Sequence, residues 1–156
     1  MDPQLRDRLE IWEGLLRAHA AMVAALEEEM EREQRLSLRW YEVLLHLSRA
    51  SDGRLRMHDL ADVVLESKSG LTRVVDRMED AGLVKRESCP SDKRGVFAVL
   101  TDAGRTRFRQ AAPLHLRGIE RHFARYVTAD DVATLRQLLD RLLEAQGKTF
   151  ARPVRI

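Results

Sequence analysis

The chain has 156 residues, enough for one domain with a buried core. Its content of 44% hydrophobic and 33% charged residues is typical of a soluble helical protein. The 27 basic and 25 acidic residues leave a formal net charge of only +2. Any affinity for nucleic acid must therefore come from local clusters of charge. One cysteine excludes an internal disulfide and indicates a reducing compartment; with no signal peptide and no apolar run of membrane length, we expect a cytoplasmic protein that does not enter a membrane.

A long first helix is predicted over residues 3–35. Pro3 suits its first turn, and apolar residues recur along it at spacings of three and four, among them Leu5, Leu9 and Trp12. A domain of this size cannot bury so long a stripe, so we expect the helix to reach a second subunit or to pack on the C-terminal helices. Its highly charged end, residues 27–35, is expected to be solvent-exposed.

A second helix is predicted over residues 38–47, with Ser37 as its N-cap. Its inward face would consist of Trp40, Val43, Leu44 and Leu47. A turn at 50–53 then leads to a short strand at 54–56, which we expect to pair with a later hairpin.

Two short helices joined by a turn come next. The first covers residues 57–64 and buries Leu60, Ala61 and Val64, and the second begins at Ser67 and ends before Gly82. The second helix buries Leu71, Val74, Val75 and Met78, whereas its opposite side carries Lys68, Ser69, Thr72, Arg73, Asp76 and Arg77. This pattern predicts a helix-turn-helix whose second helix is presented outward.

A basic β-hairpin follows the second helix. Residues 83–87 and 96–100 are predicted strands, and the turn-forming segment 88–95 between them carries Lys93 and Arg94 at its tip. Lys85 and Arg86 lie at its base. A basic finger beside a presented helix indicates a winged helix-turn-helix, in which an arginine of the finger can enter a narrow minor groove.

Two further helices are predicted after the hairpin. The first runs from its cap at Thr101 to about residue 127 and is kinked at Pro113, and the second begins at a capping box formed by Thr128 and Asp131. The last helix has an apolar stripe that includes Leu135, Leu138 and Leu142. Because this stripe and that of the first helix are left over once the winged region has folded, we expect them to form a two-fold dimer interface made by Leu5, Leu9, Leu135, Leu138 and Leu142.

Four runs together resemble the MarR family of bacterial transcriptional regulators: SKSGLTRVVDRME at 67–79, GLVKR at 82–86, DKRG at 92–95 and LTDAG at 100–104. The resemblance extends over nearly the whole chain. It implies a mainly α fold with a small β wing, about six helices and a short antiparallel sheet. Residues 36–101 would be the winged helix-turn-helix, and residues 1–35 and 102–156 the dimerisation region of one intertwined domain. It also implies a homodimer on a palindromic operator, most often as a repressor.

The residues that we expect to contact DNA lie on the second helix of the helix-turn-helix and on the wing. Arg94 is expected in the minor groove, and Asp92 is expected to fix the wing tip. Asp76 is ambiguous, since it could orient Arg73 or Arg77 rather than contact DNA. The full set is Ser67, Lys68, Ser69, Thr72, Arg73, Arg77, Lys85, Arg86, Asp92, Lys93, Arg94 and Gly95.

Proteins of this family usually bind a small aromatic or anionic ligand between the dimer helices and the winged region. The resemblance does not identify ligand residues here, so candidates rest on side-chain chemistry. They are Trp12, Leu16, His19, Arg39, Trp40, His46 and His115. Core packing is an equally good interpretation for both tryptophans, and a better one for His46 and His115.

Other functions are weaker hypotheses. Cys89, at the wing, offers a redox response, but a bystander role is the better interpretation because family members that sense oxidants carry the reactive cysteine in the first helix. His115 and His122 are two helical turns apart, too far to share a metal without other ligands, and no cofactor is expected. No catalytic motif is present, so we predict that the chain is not an enzyme. A wing used for protein contact is disfavoured by the polar face of the presented helix.

Overall fold

The computed structural model of the protein describes residues 2–64, 68–89 and 92–148, with the backbone alone at 68 and 92–94. Within these residues the chain has six α-helices, three strands and one short 3-10 helix, in agreement with the predicted mainly α fold with a small sheet. Their order is α1 (Pro3–Gln34), α2 (Leu38–Arg49), β1 (Arg54–Arg56), α3 (Met57–Val64), α4 (Lys68–Asp80), β2 (Val84–Cys89), β3 (Asp92–Leu100), α5 (Asp102–His122), the 3-10 helix (Ala124–Tyr126) and α6 (Ala129–Glu144). The chain divides into two compact units, Met1–Gly118 and Ile119–Ile156.

Helix starts follow the predicted caps. The Ser37 hydroxyl accepts a hydrogen bond from the backbone N–H of Trp40, and Thr128 and Asp131 form a complete capping box at α6. The helix ends were predicted less well. α2 continues to Arg49, two residues beyond the prediction, and the prediction that α5 reaches residue 127 is wrong because the helix ends at His122 and a 3-10 turn follows. Pro113 lies inside α5.

The end of α1 is packed in part, so the expectation of an exposed charged segment at 27–35 is only partly correct. The exposed charged residues are Glu28, Glu31, Arg32, Glu33 and Arg35. Glu29 and Met30 are buried, and the Glu27 carboxylate accepts a 2.7 Å hydrogen bond from the backbone N–H of Leu38. The Arg107 guanidinium donates to the carbonyl of Gln34, which ties the start of α5 to the end of α1. These tertiary contacts outweigh the local charge of the segment.

The core lies in the helix-turn-helix and the helix before it. The predicted inward residues of α3 and α4 are buried, as are Val43, Leu44 and Leu47 of α2, whereas Trp40 is half-buried against the core. The largest fully buried side chain is Tyr41, which was not predicted to be in the core. Its ring packs on Phe108 and His115 of α5. Helix α5 therefore covers one side of this core.

The three strands form one antiparallel sheet in the order β1-β3-β2. The predicted pairing of residues 54–56 with the wing is confirmed, since Leu55 lies opposite Ala98. The two wing strands extend closer to the tip than predicted, to Cys89 on one side and from Asp92 on the other. The strands of the wing are consequently longer, and the segment between them shorter, than the sequence indicated.

The terminal helices leave their apolar residues uncovered in the single chain. Every residue from 2 to 21 is exposed, including Trp12 with 57% of its surface accessible. α6 has no buried residue, and Leu135, Leu138 and Leu142 are all exposed. In the part of the chain that the structure describes, no helix is long and apolar enough to cross a membrane.

Candidate nucleic-acid interface

Helix α4 presents one polar side to solvent because its other side is fully used for packing. Leu71, Val74, Val75 and Met78 are buried. A helix with apolar residues at these spacings turns its remaining residues outward as a single face. The positions opposite the core are therefore available to a partner along several turns of the helix.

That outward face contains most of the residues expected to contact DNA. Ser69, Thr72, Arg73 and Arg77 are all exposed, on successive turns. Small hydroxyl side chains allow close approach to base edges, and arginines can bind guanine or phosphate through two parallel hydrogen bonds. Ser67 and the side chain of Lys68, which belong to the same predicted set, lie outside the described residues.

A tight turn joins α4 to the wing. Gly82 adopts a left-handed conformation with φ of +71°, its N–H donates to the Glu79 carbonyl, and the N–H of Leu83 donates to the Met78 carbonyl. This is the Schellman arrangement that ends helices, and it favours glycine at that position. Because β2 begins directly afterwards, the base of the wing lies beside the last turns of α4.

The two basic residues at the base of the wing lie on opposite faces of the sheet. Lys85 pairs with Val99 across the ladder and Arg86 pairs with Ala98, and neighbouring residues of a strand point to opposite faces. Lys85 is on the outer face, where its ammonium lies 2.7 Å from the carboxylate of Glu87. This contact lowers the pKa of Glu87.

Arg86 lies on the face directed at α4 and binds that helix. Its guanidinium is 2.6 Å from the carboxylate of Glu79 and 2.8 Å from that of Asp76, and it also donates to the carbonyl of Thr72. The backbone N–H of Arg86 donates to Glu79 at 2.8 Å, and this bond, together with the side-chain bond, lowers the pKa of Glu79. The sequence left open whether Asp76 orients Arg73 or Arg77 or contacts DNA, and the structure pairs it with Arg86.

The tip of the wing is described only in part. Asp92, Lys93 and Arg94 belong to β3, but their side chains, which carry the predicted tip contacts, lie outside the description. Gly95 is half-buried in the same strand.

Sequence reasoning did not identify a second group of basic residues beside the wing. Arg54 and Arg56 of β1 each lie over the ring of Phe97, with guanidinium carbons 5.0 and 5.7 Å from its centroid. Arg56 and His58 also line a groove of about 440 Å³ next to Thr72 and Arg86. The sequence feature that could have identified them is the alternation of side chains along β1, which puts both arginines on one face of the sheet.

Cys89 is buried, with 5% of its surface exposed, and its sulfur lies 3.6 Å from a guanidinium nitrogen of Arg56. Burial restricts the access of an oxidant to this thiol, which agrees with a bystander role. Among the described residues, no group of three or more histidine, cysteine, aspartate or glutamate side chains is arranged to hold a metal ion.

A cleft of about 880 Å³ lies between α1, α2 and the helix-turn-helix. Three of the candidate ligand residues line it, namely His19, Arg39 and Trp40. Val74 and Arg77 of α4 form part of the same wall. A molecule bound in this cleft would thus touch the helix that presents the side chains expected to contact DNA.

The other candidate ligand residues lie elsewhere. Trp12 and Leu16 are on the exposed part of α1, and His46 is half-buried on α2. His115 packs with its ring centroid 4.2 Å from that of Tyr41, and burial lowers its pKa to about 4, with a smaller contribution from Arg49. Burial also lowers the pKa of His46 and raises that of Tyr41 to about 12. For His115 this environment agrees with core packing.

Comparison with known proteins gives consistent matches. Residues 36–95 match the model of the MarR family. The chain is 37% identical to AbsC, a MarR family transcriptional regulator from Streptomyces coelicolor, over 87% of this chain and 91% of that one, with a TM-score of 0.82. It is 30% identical to Sco3205, a MarR family transcriptional regulator from the same organism solved in complex with DNA, over 90% of this chain and 88% of that one, with a TM-score of 0.84.

The multiple antibiotic resistance protein MarR of Escherichia coli (strain K12) is 36% identical over 85 residues, which is 54% of this chain and 59% of that protein. This match therefore spans less than two thirds of the relative's length. The two solved relatives are transcriptional regulators and not enzymes, in agreement with the predicted class.

Proposed function

Since the chain belongs to the MarR family of transcriptional regulators, we propose that it binds a palindromic operator in double-stranded DNA as a homodimer and represses transcription until a small-molecule effector releases it. The observation that carries the proposal is the presented face of α4 beside a basic wing. Its support comes from Sco3205, which has the same fold and was solved with DNA.

In this proposal α4 enters the major groove. Ser69, Thr72, Arg73 and Arg77 meet base edges and phosphates, together with Ser67 and Lys68. Arg94 enters the minor groove, while Lys85 and Lys93 bind phosphates and Asp92 and Gly95 shape the tip. Each phosphate contact contributes about one unit to the dependence of log affinity on log salt.

The homodimer is proposed from the uncovered terminal helices. Leu5 and Leu9 of α1 and Leu135, Leu138 and Leu142 of α6 are exposed in the single chain, although runs of apolar residues at helical spacing normally face a core. A second copy would cover both stripes with the same surfaces, as a two-fold interface requires. Two presented helices would then face half-sites about one DNA turn apart.

The effector is proposed to bind in the cleft lined by His19, Arg39 and Trp40. An indole, an imidazole and a guanidinium suit an aromatic or anionic molecule. A ligand that prefers a dimer geometry unsuited to the operator would release DNA, by no more than the ratio of its affinities for the two geometries.

The proposal is tested by fluorescence-anisotropy titration of the DNA upstream of the protein's own gene, with a shuffled duplex for comparison. We expect the wild type to prefer its own DNA with a steep salt dependence, and Arg73→Ala and Arg94→Ala to bind more weakly. Arg109→Ala on α5 removes an exposed arginine outside the proposed interface and should bind like the wild type. Equal affinity for both duplexes at every salt concentration, for this and for other promoter fragments, would refute DNA recognition.

A further inference from the structure

Arg86 of the wing binds α4 through both its side chain and its backbone. Its two guanidinium nitrogens reach the carboxylates of Asp76 and Glu79, and the backbone of Arg86 binds Glu79 as well. A third side-chain bond runs to the carbonyl of Thr72. Three turns of the presented helix are thus linked to one residue of the wing.

The local structure explains why these groups meet. Asp76 and Glu79 are three residues apart and share one side of α4. The turn at Gly82 reverses the chain, and the register of the sheet directs Arg86, which lies opposite Ala98, toward the helix. A planar guanidinium can bind two carboxylates at once in one orientation, so the cluster sets the angle between wing and helix as well as their distance.

The cluster also affects the charge of the presented helix. Asp76 is exposed on the same helix as Arg73 and Arg77, and a carboxylate near DNA repels phosphate. With Arg86 bound, the charges of Asp76 and Glu79 are offset from the wing side. The guanidinium that performs this role has its nitrogens directed at α4, away from the outer face where Lys85 lies.

We propose that Arg86 is a positioning residue, which holds the base of the wing on Asp76 and Glu79 so that α4 and the wing meet DNA in one orientation, and that it does not itself bind phosphate. The inference rests on the proposed DNA-binding function. It assigns to Arg86 a role different from the DNA contact expected from the sequence, and it gives Asp76 and Glu79, two of the three acidic residues of the presented helix, a positive contribution to DNA binding.

The direction in which Glu79→Gln changes the DNA affinity distinguishes a positioning role of Arg86 from a phosphate contact. Glu79→Gln removes a negative charge beside the interface, so electrostatics alone predicts unchanged or tighter DNA binding. If Glu79 positions the wing through Arg86, the same substitution weakens binding, by about tenfold. Asp80→Asn makes an equivalent charge change on the same helix outside the cluster, and we expect it to bind as tightly as the wild type or more tightly.

A second substitution tests Arg86 directly. Lysine binds phosphate well as a point charge, so Arg86→Lys would keep most of the affinity if the residue were a phosphate contact. A single ammonium cannot reproduce the fork to two carboxylates, and we expect this variant to bind about tenfold more weakly. Glu79→Gln combined with Arg86→Lys should bind no more weakly than either single variant, because both remove the same link.

The measurement is an anisotropy titration over a salt series, with urea unfolding of each variant to show that the fold is retained. Weaker binding of Glu79→Gln and Arg86→Lys with a wild-type salt dependence supports the positioning role. Wild-type or tighter binding of Glu79→Gln, or wild-type binding of Arg86→Lys, overturns it while leaving DNA recognition intact. If the wild type itself does not prefer its own upstream DNA, the proposed function fails, and the positioning role fails with it.

Discussion

The winged region and the terminal helices differ in where their apolar side chains find cover. In the winged region, Leu60, Leu71, Val75 and Met78 are buried by the chain itself. Along residues 2–21 and along α6, leucines at the same helical spacings are exposed. One sequence thus contains a core that the single chain completes and apolar stripes that the single chain leaves exposed.

The contrast shows that an apolar stripe at helical spacing identifies a buried face without identifying what buries it. In α4 the cover is α2, α3 and the sheet of the same chain. For α1 and α6, a second subunit is the proposed cover. Stability of the winged core should therefore be a property of the single chain, whereas the terminal helices should respond to protein concentration.

Substitution in the completed core should have the largest effect. Leu44→Ala removes a fully buried side chain, and we expect the free energy of unfolding in urea to fall by about 2–5 kcal/mol. Val63→Ala, at an exposed position of α3, should change it by less than about 0.5 kcal/mol. Similar losses at the two positions would contradict the assignment of Leu44 to a core that the single chain completes.

A charge in the terminal stripe should affect assembly instead. Leu138→Glu places a carboxylate in both copies of the proposed interface, and we expect the dimer dissociation constant in sedimentation equilibrium to rise at least about 100-fold. Val63→Glu adds the same charge to the winged region and should leave the dimer intact. A wild type that is monomeric at all concentrations, or an unchanged dimer dissociation constant in Leu138→Glu, would contradict the proposed dimer interface.

The Tyr41–His115 contact should make the packing of α5 sensitive to acid. The folded pKa of His115, about 4, lies below its ordinary value of 6.5, so the unfolded chain binds a proton first as the pH falls. The free energy of unfolding therefore falls as the pH is lowered from about 6.5 to about 4, and it is not reduced in this way above pH 7. By pH 4.5 the wild type should lose about 2–3 kcal/mol more than His115→Phe.

Urea unfolding at pH 7.5 and pH 4.5 checks this difference. His46, whose pKa is also lowered, and the carboxylates titrate in both proteins, so their contributions cancel in the comparison. Parallel losses in wild type and His115→Phe would show that His115 does not titrate with the lowered pKa.

We expect the smallest effect on DNA binding from removing the charge of Lys85 on the outer face of the wing. Lys85→Met should lower the slope of log affinity against log salt by about one unit, since Lys85 is proposed to contact a phosphate. Its stability should be nearly unchanged, because Lys85 is exposed and its pair with Glu87 is a surface ion pair. An unchanged slope in an anisotropy titration would remove Lys85 from the proposed interface.

Features determined by neighbouring residues were predictable from the sequence. The caps at Ser37 and Thr128, the turn at Gly82 and the buried faces of α3 and α4 depend on side chains a few positions apart, and the structure agrees with each. The pairing of residues 54–56 with the wing was also correct.

Features that depend on contacts between distant segments were missed. The burial of Glu29 and Met30 depends on distant segments of the chain, and the charge of the stretch 27–35 gave the opposite indication. The orientation of Arg86 follows from the register of β2 with β3, which places it opposite Ala98 and on the helix side of the sheet. Tyr41 was not predicted to lie in the core, although it is the largest fully buried side chain among the described residues.

The most direct test of the proposed dimer on a two-fold operator is to measure how many chains bind each DNA duplex. Sedimentation velocity of the protein mixed with a duplex from its own upstream region should give a complex of two chains per duplex, and the shuffled duplex should remain unbound at the same concentration. Complexes with a single chain per duplex, or equal binding to both duplexes, would contradict a dimer that reads a two-fold operator.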